Sequence, residues 1–320
     1  MLRRDDVLCI GSAVVDHFLE IRPKFKEIHL GDKILVNKLE VHSGGGATNV
    51  AAALSKMGLR VKILTKLGQD KEADFILNEM KEYKVKNICL HRSKKSTNFS
   101  TLISSDRERD RVIYAYKGAS TDLKSTDFKK SQLRAKWIYF GSLMGRSLKT
   151  GKEIVEYAKK KKINIMFNPS LYMAKKGKQF HSILNATTVL ILNKEEAQAL
   201  SGKKLVQKKL LLELSKLGPK TIIITDGRRM VYALHQDEIY SLIPPDVKVL
   251  HTAGAGDALN SGVLAGLVKK KSFEDSLKLG IVNSLSVIQG IGTKSGLLSE
   301  VKANQMIKKF RMRIKKVRVQ

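Results

Sequence analysis

The chain has 320 residues, of which 42% are hydrophobic and 6% aromatic. This length and composition suit a globular enzyme with a large core and exclude an intrinsically disordered chain. The sequence contains no apolar stretch of membrane-spanning length and no visible signal peptide, and its two cysteines, Cys9 and Cys89, are too few and too widely spaced for a disulfide framework or a zinc site. We therefore expect a cytoplasmic protein with free thiols and no membrane partner.

The charge is strongly unbalanced. Sixty Lys and Arg residues against thirty Asp and Glu residues give a formal net charge of +30. Such a field attracts phosphorylated molecules and, non-specifically, RNA. Because the sequence has no zinc pattern, no RNA-binding aromatic signature and no tandem repeat, we interpret the charge as a solvated basic surface and expect no specific nucleic-acid partner.

Apolar β-branched runs alternate with stretches of helical periodicity, which predicts a mostly parallel sheet with helices on both faces. The predicted strands cover residues 7–11, 61–64, 137–140, 163–167, 189–192 and 221–225. The predicted helices cover residues 47–57, 71–83, 151–161, 205–217, 255–269 and 273–289. Because ligands of such sheets gather at the carboxyl ends of strands, Asp16, Asn193, Thr225 and the loop 254–257 are expected to meet there.

Two early segments break this alternation. Residues 17–43, which turn at Gly31 and Asp32, and residues 97–117, which are joined by a charged turn at 105–110, each predict an antiparallel hairpin. Together they predict a small sheet inserted into the main domain. Such a sheet can act as a lid that excludes water, as an edge used for contact between two copies of the chain, or as both.

A glycine loop at residues 43–49 opens a helix of small residues. The loop is no P-loop, because no Gly-Lys-Ser/Thr follows it, and it is a poor dinucleotide fingerprint, because Asn49 stands where the third glycine belongs. The Asn49 amide offers donors and an acceptor, which suits a neutral polyol. The alternative is a simple helix-capping asparagine.

A second glycine loop, Gly254-Ala255-Gly256, leads into a helix and is followed at once by Asp257. The first N–H groups of a helix can bind an anion when no side chain blocks the approach. A carboxylate at such a site repels a resting phosphate, but it is useful if it takes the proton from a hydroxyl that attacks phosphorus. The alternative interpretation of Asp257 is an acidic residue that stabilises the helix dipole.

These motifs, in this order, resemble those of the ribokinase-like (PfkB) carbohydrate kinases. The segments that carry the resemblance are 11–16, 44–49, 67–70, 193–196, 225–227, 254–257 and Asn283, within residues 7 to about 298. The resemblance implies a three-layer, doubly wound α/β fold with a mostly parallel sheet and a small β-sheet lid. It divides the chain into a kinase domain over residues 1–300, with lid segments at about 17–43 and 97–117, and a basic C-terminal helix or tail over residues 301–320.

The resemblance also implies an activity and a role for each matching residue. The activity is transfer of the γ-phosphate of a nucleoside triphosphate, ATP in the main interpretation, to a hydroxyl of a sugar or sugar phosphate, with Mg²⁺. Asp257 matches the general base, and the anion hole matches Gly254, Ala255 and Gly256. The acceptor hydroxyls would be held by Asp16, Gly44, Gly45 and Asn49. The nucleotide side would comprise Asn193, Glu196, Thr225, Gly227 and Asn283, with Glu196 acting on Mg²⁺ through water.

One departure from the family pattern, at residue 251, matters for function. His251 stands where the family most often has an aspartate that helps to hold a monovalent cation, and a histidine cannot supply that hard anionic oxygen. This departure argues against potassium activation and favours a sugar-phosphate acceptor. His251 itself is interpreted as a packed or hydrogen-bonded loop residue.

Two alternatives remain open at this point. The first is a nucleoside kinase of the same fold, in which Phe99, Tyr114 and Tyr116 of the lid stack a base. The second is an inactive, basic homologue associated with nucleic acid, against which the intact loop 254–257 argues. The sequence leaves open the identity of the acceptor, ATP or ADP as donor, and the oligomeric state, for which a homodimer through the lid is one option.

Overall fold

The structure, a computed structural model, describes residues 4–108 and 111–319; Arg109 and Asp110 of the predicted charged turn lie outside these ranges. The strands are β1 (Asp5–Ile10), β2 (Val14–Ile21), β3 (Val36–Gly44), β4 (Val61–Leu64), β5 (Lys86–Asn87), β6 (Asn98–Ser105), β7 (Arg111–Tyr116), β8 (Ala135–Phe140), β9 (Asn164–Phe167), β10 (Val189–Asn193), β11 (Thr221–Thr225), β12 (Val231–His235), β13 (Glu238–Leu242) and β14 (Lys315–Arg318). The helices are α1 (Gly46–Lys56), α2 (Lys71–Glu82), α3 (Gly145–Lys160), α4 (Leu171–Ala174), α5 (His181–Ala186), α6 (Lys194–Ser201), α7 (Gln207–Ser215), α8 (Ala255–Val268), α9 (Phe273–Val287) and α10 (Glu300–Phe310).

Ten of these strands form one sheet in the order β14-β13-β12-β11-β10-β9-β8-β1-β4-β5. The strands from β5 to β11 in this order pair in parallel, and β12, β13 and β14 add an antiparallel edge. The chain proceeds to β4 on one side of β1 and later to β8 on the other side. This reversal between β1 and β8 is a topological switch point, where open α/β sheets bind their ligands.

The parallel strands are buried on both faces, which explains their continuous apolar sequences. Val7 and Cys9 of β1 belong to one core layer, and Leu8 and Ile10 belong to the other, as the period of two along a strand requires. Helices α1, α2, α8 and α9 cover the first face, and α3 to α7 cover the second. The predicted three-layer, mostly parallel α/β fold is therefore confirmed.

The two early hairpins form a separate four-stranded sheet in the order β3-β2-β6-β7. β2 pairs with β3 and β6 pairs with β7 in antiparallel fashion, while the central pair, β2 and β6, is parallel. This is the small inserted sheet that the sequence predicts. One face, which we call the inner lid face, carries Asp16 together with Ser100, its cross-strand partner; the opposite face is the outer lid face.

The structure differs from the sequence prediction at the start of α3 and at one edge of the central sheet. Helix α3 begins at Gly145, six residues before the predicted start, because Ser147 and Thr150 hydrogen-bond to the backbone of Leu123 and so bring a polar first turn into the helix. Strands β12, β13 and β14 were not predicted.

In the described part of the chain, no helix combines the length and the apolarity needed to cross a membrane.

The basic segment that begins at residue 301 packs onto the main domain within the described residues. Helix α10 contacts α9 through Ala303, which is fully buried beside Leu279 and Val282. Strand β14 then pairs with β13 at the edge of the central sheet. Its sequence, Lys-Lys-Val-Arg, is exposed along its whole length, so it carries no hydrophobic alternation by which a strand could be recognised.

Candidate active site

A cavity of about 840 Å³ lies at the carboxyl ends of β10 and β11 and at the start of α8. Eight residues predicted from the sequence line it: Asn193, Glu196, Thr225, Gly227, Gly254, Ala255, Gly256 and Asp257. They come from three separate segments of the chain. The sheet topology therefore brings together the residues that sequence reasoning connected only by motif.

The start of α8 has the geometry of an anion site. Gly254 is its N-cap with φ of +80°, in the left-handed region, and a Cβ there would lie 2.6 Å from the Thr293 carbonyl oxygen, so both conformation and packing require glycine. The Ala255 N–H donates to Thr252 O at 3.3 Å. Among the described residues, the Gly256 and Asp257 N–H groups donate no hydrogen bond, so they can bind an anion.

Gly256 has a different reason to be glycine. A Cβ at this position would meet no protein atom within 4 Å, and the residue is exposed to the cavity. The absence of a side chain therefore leaves space for a ligand rather than space for protein packing.

Asp257 occupies the first turn of α8 and faces the switch point. Its Oδ2 accepts a hydrogen bond of 2.8 Å from Nδ2 of Asn49, which lies in α1. Burial raises the pKa of the Asp257 carboxyl, and the nearby Asp16 raises it further, whereas Asn49 and the ammonium of Lys294 oppose that shift. A carboxylate with a raised pKa is a stronger base toward a hydroxyl proton than one in open water.

The four residues predicted to hold an acceptor are not among those lining this cavity. Asp16, Gly44, Gly45 and Asn49 form a separate group, which meets the cavity at Asp257. Burial raises the pKa of the Asp16 carboxyl, and its cross-strand neighbour Ser100 opposes that shift. The hydrogen bond between Asn49 and Asp257 thus joins this acceptor group directly to the wall of the cavity.

The two glycines of this group accommodate neighbouring protein atoms. A Cβ at Gly44 would collide with Oδ2 of Asp16. Gly45 has φ of +97°, and a Cβ there would lie 2.5 Å from the Ser12 carbonyl oxygen. The glycines therefore allow the end of β3 to approach the Asp16 side chain and the segment before β2.

A second cavity, of about 380 Å³, lies between the inner lid face and the loop at residues 249–252. Charged side chains line much of it, including Glu20, Lys38, Glu40 and Arg111. Thr252 lines both this cavity and the larger one. Its polar lining suits a hydroxylated or charged molecule better than an apolar one.

His251 connects this loop to the lid. Its ring contacts the Phe18 ring edge-on with centroids 5.1 Å apart, and its Nδ1 accepts a hydrogen bond from the Ala253 N–H at 3.2 Å. His251 is therefore a packed, hydrogen-bonded loop residue, as the sequence analysis expects.

At the end of the cavity that is predicted to bind the nucleotide, Asn193 and Glu196 form a reciprocal capping box at the start of α6. Oδ1 of Asn193 accepts from the Glu196 N–H at 2.8 Å, and Oε2 of Glu196 accepts from the Asn193 N–H at 2.9 Å. Burial raises the pKa of Glu196 to about 7, and the charges of Glu195 and Asp257 raise it in the same direction. The Glu196 carboxyl, at the wall of the cavity, therefore has a pKa close to neutral pH.

The donor set fits a Mg²⁺ ion that is held mainly by phosphate oxygens and water. Among the described residues, no cluster of three or more His, Cys, Asp or Glu side chains is arranged to hold a metal ion. Mg²⁺ keeps several waters and commonly binds through one or two carboxylates together with substrate phosphates. Glu196, with its carboxylate at the cavity wall, fits such a water-mediated role.

We expect Glu196→Gln to stabilise the protein, without Mg²⁺ or nucleotide, only at high pH. Because the folded-state pKa of Glu196 is raised to about 7 from 4.5, the folded protein loses stability as the pH rises through that interval. Glutamine keeps the capping hydrogen bond but has no charge to bury. The variant should match the wild-type melting temperature at pH 5 and exceed it by on the order of 2 °C at pH 8.5.

Thermal unfolding of the wild type, Glu196→Gln and Glu153→Gln at both pH values would check this result. Glu153 is an exposed glutamate of α3 that has no influence on the pKa of Glu196, and it serves as the control. An equal difference between Glu196→Gln and wild type at pH 5 and pH 8.5 would contradict the assigned pKa.

The turn after β11 is fixed by hydrogen bonds between Asp226 and side chains of α6 and α7. Asp226 accepts hydrogen bonds from Gln207 and Lys194, and Gly227 has φ of +56° in the left-handed region. Thr225 and Gly227 line the cavity beside an apolar wall that contains Val247, Leu259, Ile281, Leu285 and Ile288. A polar edge next to an apolar wall suits a purine base and its ribose.

The expectation that Asn283 lines the adenine pocket is wrong. Asn283 is fully buried, and its Nδ2 donates to Ala258 O and to Ser261 Oγ, while its Oδ1 accepts from the Leu298 N–H. These bonds join α9 to α8 and to the segment before α10. The next residue, Ser284, lines the cavity instead, because the helical step from 283 to 284 rotates the side chain by about 100°.

The lid aromatics also lie on the wrong side for stacking a base. Phe99 and Tyr116 stack on each other with ring centroids 5.3 Å apart, and Tyr114 pairs with Thr101. Because Phe99 and Thr101 alternate with Ser100, all three aromatics point to the outer lid face, away from Asp16. On the inner lid face of the described strands, the aromatic side chains are Phe18 and His42.

Sequence reasoning missed Thr293 and Lys294, two buried residues that contact the acceptor group. Thr293 Oγ1 donates to Asn49 Oδ1 at 2.8 Å, and Lys294 Nζ donates to Ser43 O at 2.6 Å. Thr293 lies in a glycine-containing segment, which was a weak signal. Lys294 carried no signal, because it is one of sixty basic residues.

Comparison with known proteins agrees with this geometry. Residues 4–300 match the family described as "pfkB family carbohydrate kinase". The chain is 24% identical over 306 residues to a ribokinase from Staphylococcus aureus (strain COL), which covers 92% of this chain and 98% of that protein. It is 25% identical over 301 residues to a ketohexokinase from Mus musculus, again covering 92% of this chain and 98% of the relative.

Solved structures show the same fold. The adenosine kinase from Sinorhizobium meliloti superposes with a TM-score of 0.83 at 20% identity, over 95% of this chain and 100% of that one. The predicted ribokinase-like fold is confirmed, and kinases of this group use ATP. Since the family match covers nearly the whole chain, the protein belongs to the pfkB family of carbohydrate kinases and is, as predicted, a phosphotransferase with an alcohol group as acceptor.

Proposed function

We propose that the enzyme transfers the γ-phosphate of ATP to a hydroxyl of a sugar or sugar phosphate, with Asp257 as the general base. The observation that carries the proposal is the position of Asp257. It lies at the N-terminus of α8, borders the nucleotide-sized cavity and hydrogen-bonds to Asn49 of the acceptor group. A hydroxyl held by Asp16 and Asn49 would meet the γ-phosphate at this carboxylate.

Each residue then has a separate task. Asp16 accepts hydrogen bonds from acceptor hydroxyls, and the remaining N–H of Asn49 donates to one. Asp257 takes the proton as the acceptor oxygen attacks phosphorus. The N–H groups at the start of α8 stabilise the charge that develops on the transferred group. When bound, Mg²⁺ neutralises phosphate charge, and Glu196 would orient its water ligands.

The lid and the turn after β11 complete this assignment. The inner lid face covers the acceptor group, and its closure would keep water from accepting the phosphate. Asn193, Thr225 and Gly227 would contact the nucleotide from the cavity wall. The relatives named ribokinase and ketohexokinase support a sugar acceptor, and the outward position of Phe99, Tyr114 and Tyr116 gives no support to base stacking.

A panel of acceptors tests the proposed substrate class. ADP release should be measured with ATP and individual sugars, sugar phosphates and nucleosides. We expect kcat/KM for one sugar or sugar phosphate to exceed that of every nucleoside by at least about 10²-fold. A nucleoside as the preferred acceptor would establish the nucleoside kinase alternative, and no turnover with any acceptor would favour the inactive homologue.

We predict that the rate does not depend specifically on K⁺. His251 replaces the expected acid, and its ring packs on Phe18, so it offers no anionic oxygen to a cation. Exchange of K⁺ for Na⁺ or tetramethylammonium, at constant ionic strength because the protein carries +30 charge, should change kcat by less than about twofold.

The His251→Asp variant supplies the comparison for this prediction. A K⁺ dependence that appears only in His251→Asp would support the interpretation. Several-fold activation of the wild type by K⁺ would show that backbone carbonyls alone form a cation site, and it would remove the argument that His251 favours a sugar-phosphate acceptor.

We further propose a homodimer that forms through the outer lid face. Leu39 and Tyr114 on this face are 60% and 62% exposed, and Val41, Phe99 and Tyr116 extend the same apolar surface. Exposed apolar surface of this kind is characteristic of an interface. We expect sedimentation analysis at micromolar concentration to show a dimer that Leu39→Glu/Tyr114→Glu converts to a monomer.

A matched control for this prediction is Val301→Glu. Val301 is 67% exposed but lies on α10, away from the lid, so its charge should leave the dimer intact. A wild-type protein that sediments as a monomer at this concentration would contradict the proposed interface.

We also propose a cytoplasmic location and no specific nucleic-acid partner. Both cysteines, Cys9 and Cys89, are free thiols in the structure, and ATP as donor suits a compartment in which nucleotides are plentiful. The positive charge is spread over the chain, which favours general attraction of phosphorylated substrates rather than one nucleic-acid site.

A further inference from the structure

Lys294 is a buried lysine in the loop between α9 and α10. Its side chain is 6% exposed, and lysines are almost never buried to this extent unless they are paired. It lies outside α8, which carries Asp257, and outside β2, which carries Asp16. Its function therefore has to follow from what its ammonium group contacts.

The three N–H donors of the Lys294 ammonium have three partners. Nζ lies 2.6 Å from Ser43 O and 2.5 Å from Ser43 Oγ, and it is 3.2 Å from Oε2 of Glu79 on α2. The Ser43 hydroxyl also donates to Glu79. Since Ser43 directly precedes Gly44 and Gly45, Lys294 fixes the glycine loop of the acceptor group at its first residue.

The preceding residue acts on the general base from the same loop. Thr293 Oγ1 lies 2.8 Å from Asn49 Oδ1, and donation of its proton there directs Nδ2 of Asn49 toward Asp257. The Thr293 carbonyl also packs against Gly254, where a Cβ would lie 2.6 Å from it. The two-residue segment Thr293-Lys294 therefore contacts the acceptor loop, the hydrogen-bond partner of the base and the N-cap of the anion hole.

The charge of Lys294 also acts on the acidic residues of the site. Asp16, Asp257 and Glu79 bring three carboxylates into this region, and the Lys294 ammonium acts on all three. Its charge lowers the pKa values of Asp16 and Asp257 against the upward effect of burial, while burial lowers the pKa of Lys294 itself. A second cation, Lys117, acts on Asp16 from an exposed position on the lid.

We propose that Lys294 is a positioning residue for phosphoryl transfer, whose ammonium holds the acceptor loop at Ser43 and balances the charges of Asp16 and Asp257 without contacting the acceptor. This inference rests on the proposed roles of those two aspartates. It assigns Lys294 to the acceptor and the base, and it assigns no part of nucleotide binding to this residue.

The test uses the double variant Lys294→Met/Glu79→Gln, which removes both charges of the ion pair so that neither is left unpaired. Because the aspartates lose a neighbouring cation, the acidic limb of the kcat–pH profile should move upward by about one pH unit or more. The loss of kcat should be confined to the acidic side of the profile, and the rate should return as the pH rises and the aspartates ionise. The KM of the acceptor should rise, and the KM of ATP should stay unchanged.

The matched control is Lys66→Met/Asp127→Asn. Lys66 and Asp127 form a buried ion pair of 2.7 Å, each 4% exposed, outside the site. This control should change the melting temperature but leave the pH profile unchanged, which separates a general effect of ion-pair loss from positioning.

Four outcomes of this experiment are informative. A double variant at Lys294 and Glu79 with a wild-type pH profile and acceptor KM would overturn the inference, as would its failure to fold, since Lys294 would then be a purely structural residue. The expected shift with an unchanged KM for ATP would support it. A wild-type enzyme that transfers no phosphate to any acceptor would instead overturn the proposed function, so the two failures are distinguishable.

Discussion

Replacement of Asp257 by asparagine is expected to lower kcat by about 10²–10⁴-fold, the usual cost of losing a general base. Asparagine keeps the shape of the side chain, and its carbonyl oxygen can still accept the hydrogen bond from Asn49 Nδ2. The first N–H groups of α8 are unchanged. ATP affinity, measured by calorimetry without acceptor, should therefore stay within about threefold of wild type.

Asp237→Asn is the matched control for this substitution. Asp237 lies in the turn between β12 and β13 with φ of +60°, a conformation that asparagine also tolerates. It should keep the wild-type rate. If Asp257→Asn retained more than about a tenth of the wild-type kcat, Asp257 would not be the base.

The second large effect is expected at Asp16. Asp16→Ala removes a half-buried carboxylate that lies opposite Ser100 on β6 and against Gly44. Because each hydrogen bond to a charged group contributes about 1.5–3 kcal/mol, loss of one acceptor contact should weaken acceptor binding by roughly 10- to 150-fold. Calorimetry with acceptor and with ATP separately should show this loss for the acceptor alone.

Ser100→Ala provides the comparison at the same place. It removes the partner of Asp16 but keeps the carboxylate, so its effect on the acceptor should be smaller. Equal weakening of acceptor and ATP by Asp16→Ala would place Asp16 outside the acceptor pocket.

The central fold was predictable because its strands are buried on both sides. Continuous apolar runs such as those at Val189–Asn193 and Thr221–Thr225 leave few alternatives to a covered parallel sheet. The antiparallel edge was not predictable in the same way. β14 is charged and fully exposed, so its pairing with β13 depends on tertiary contact and not on its own sequence pattern.

The site was predictable where function depends on backbone geometry. Glycines at a helix start mark an anion site locally, and Gly254 and Gly256 lie where the sequence places them. The direction of a side chain was harder to predict from the sequence. Asn283 and Phe99 each lie beside a residue that faces the correct side, Ser284 and Ser100, and only packing decides which of two neighbours points into a site.

The burial of a charged residue was the feature hardest to predict from the sequence. Lys294 is one basic residue among sixty, and its burial results from contacts with Ser43 and Glu79, which lie more than two hundred residues away in sequence. No local pattern separates such a lysine from a solvated one.

The assignment of Asp257 as the base of a sugar kinase is tested most directly by ³¹P NMR of ATP, Mg²⁺ and the preferred acceptor, with the wild-type enzyme and with Asp257→Asn. We expect the γ-phosphate signal of ATP to be replaced by that of a phosphate monoester of a sugar or sugar phosphate, with little inorganic phosphate. Asp257→Asn should form this ester at least about 10²-fold more slowly. Formation of the same ester at an undiminished rate by Asp257→Asn, or release of the γ-phosphate only to water, would contradict this assignment.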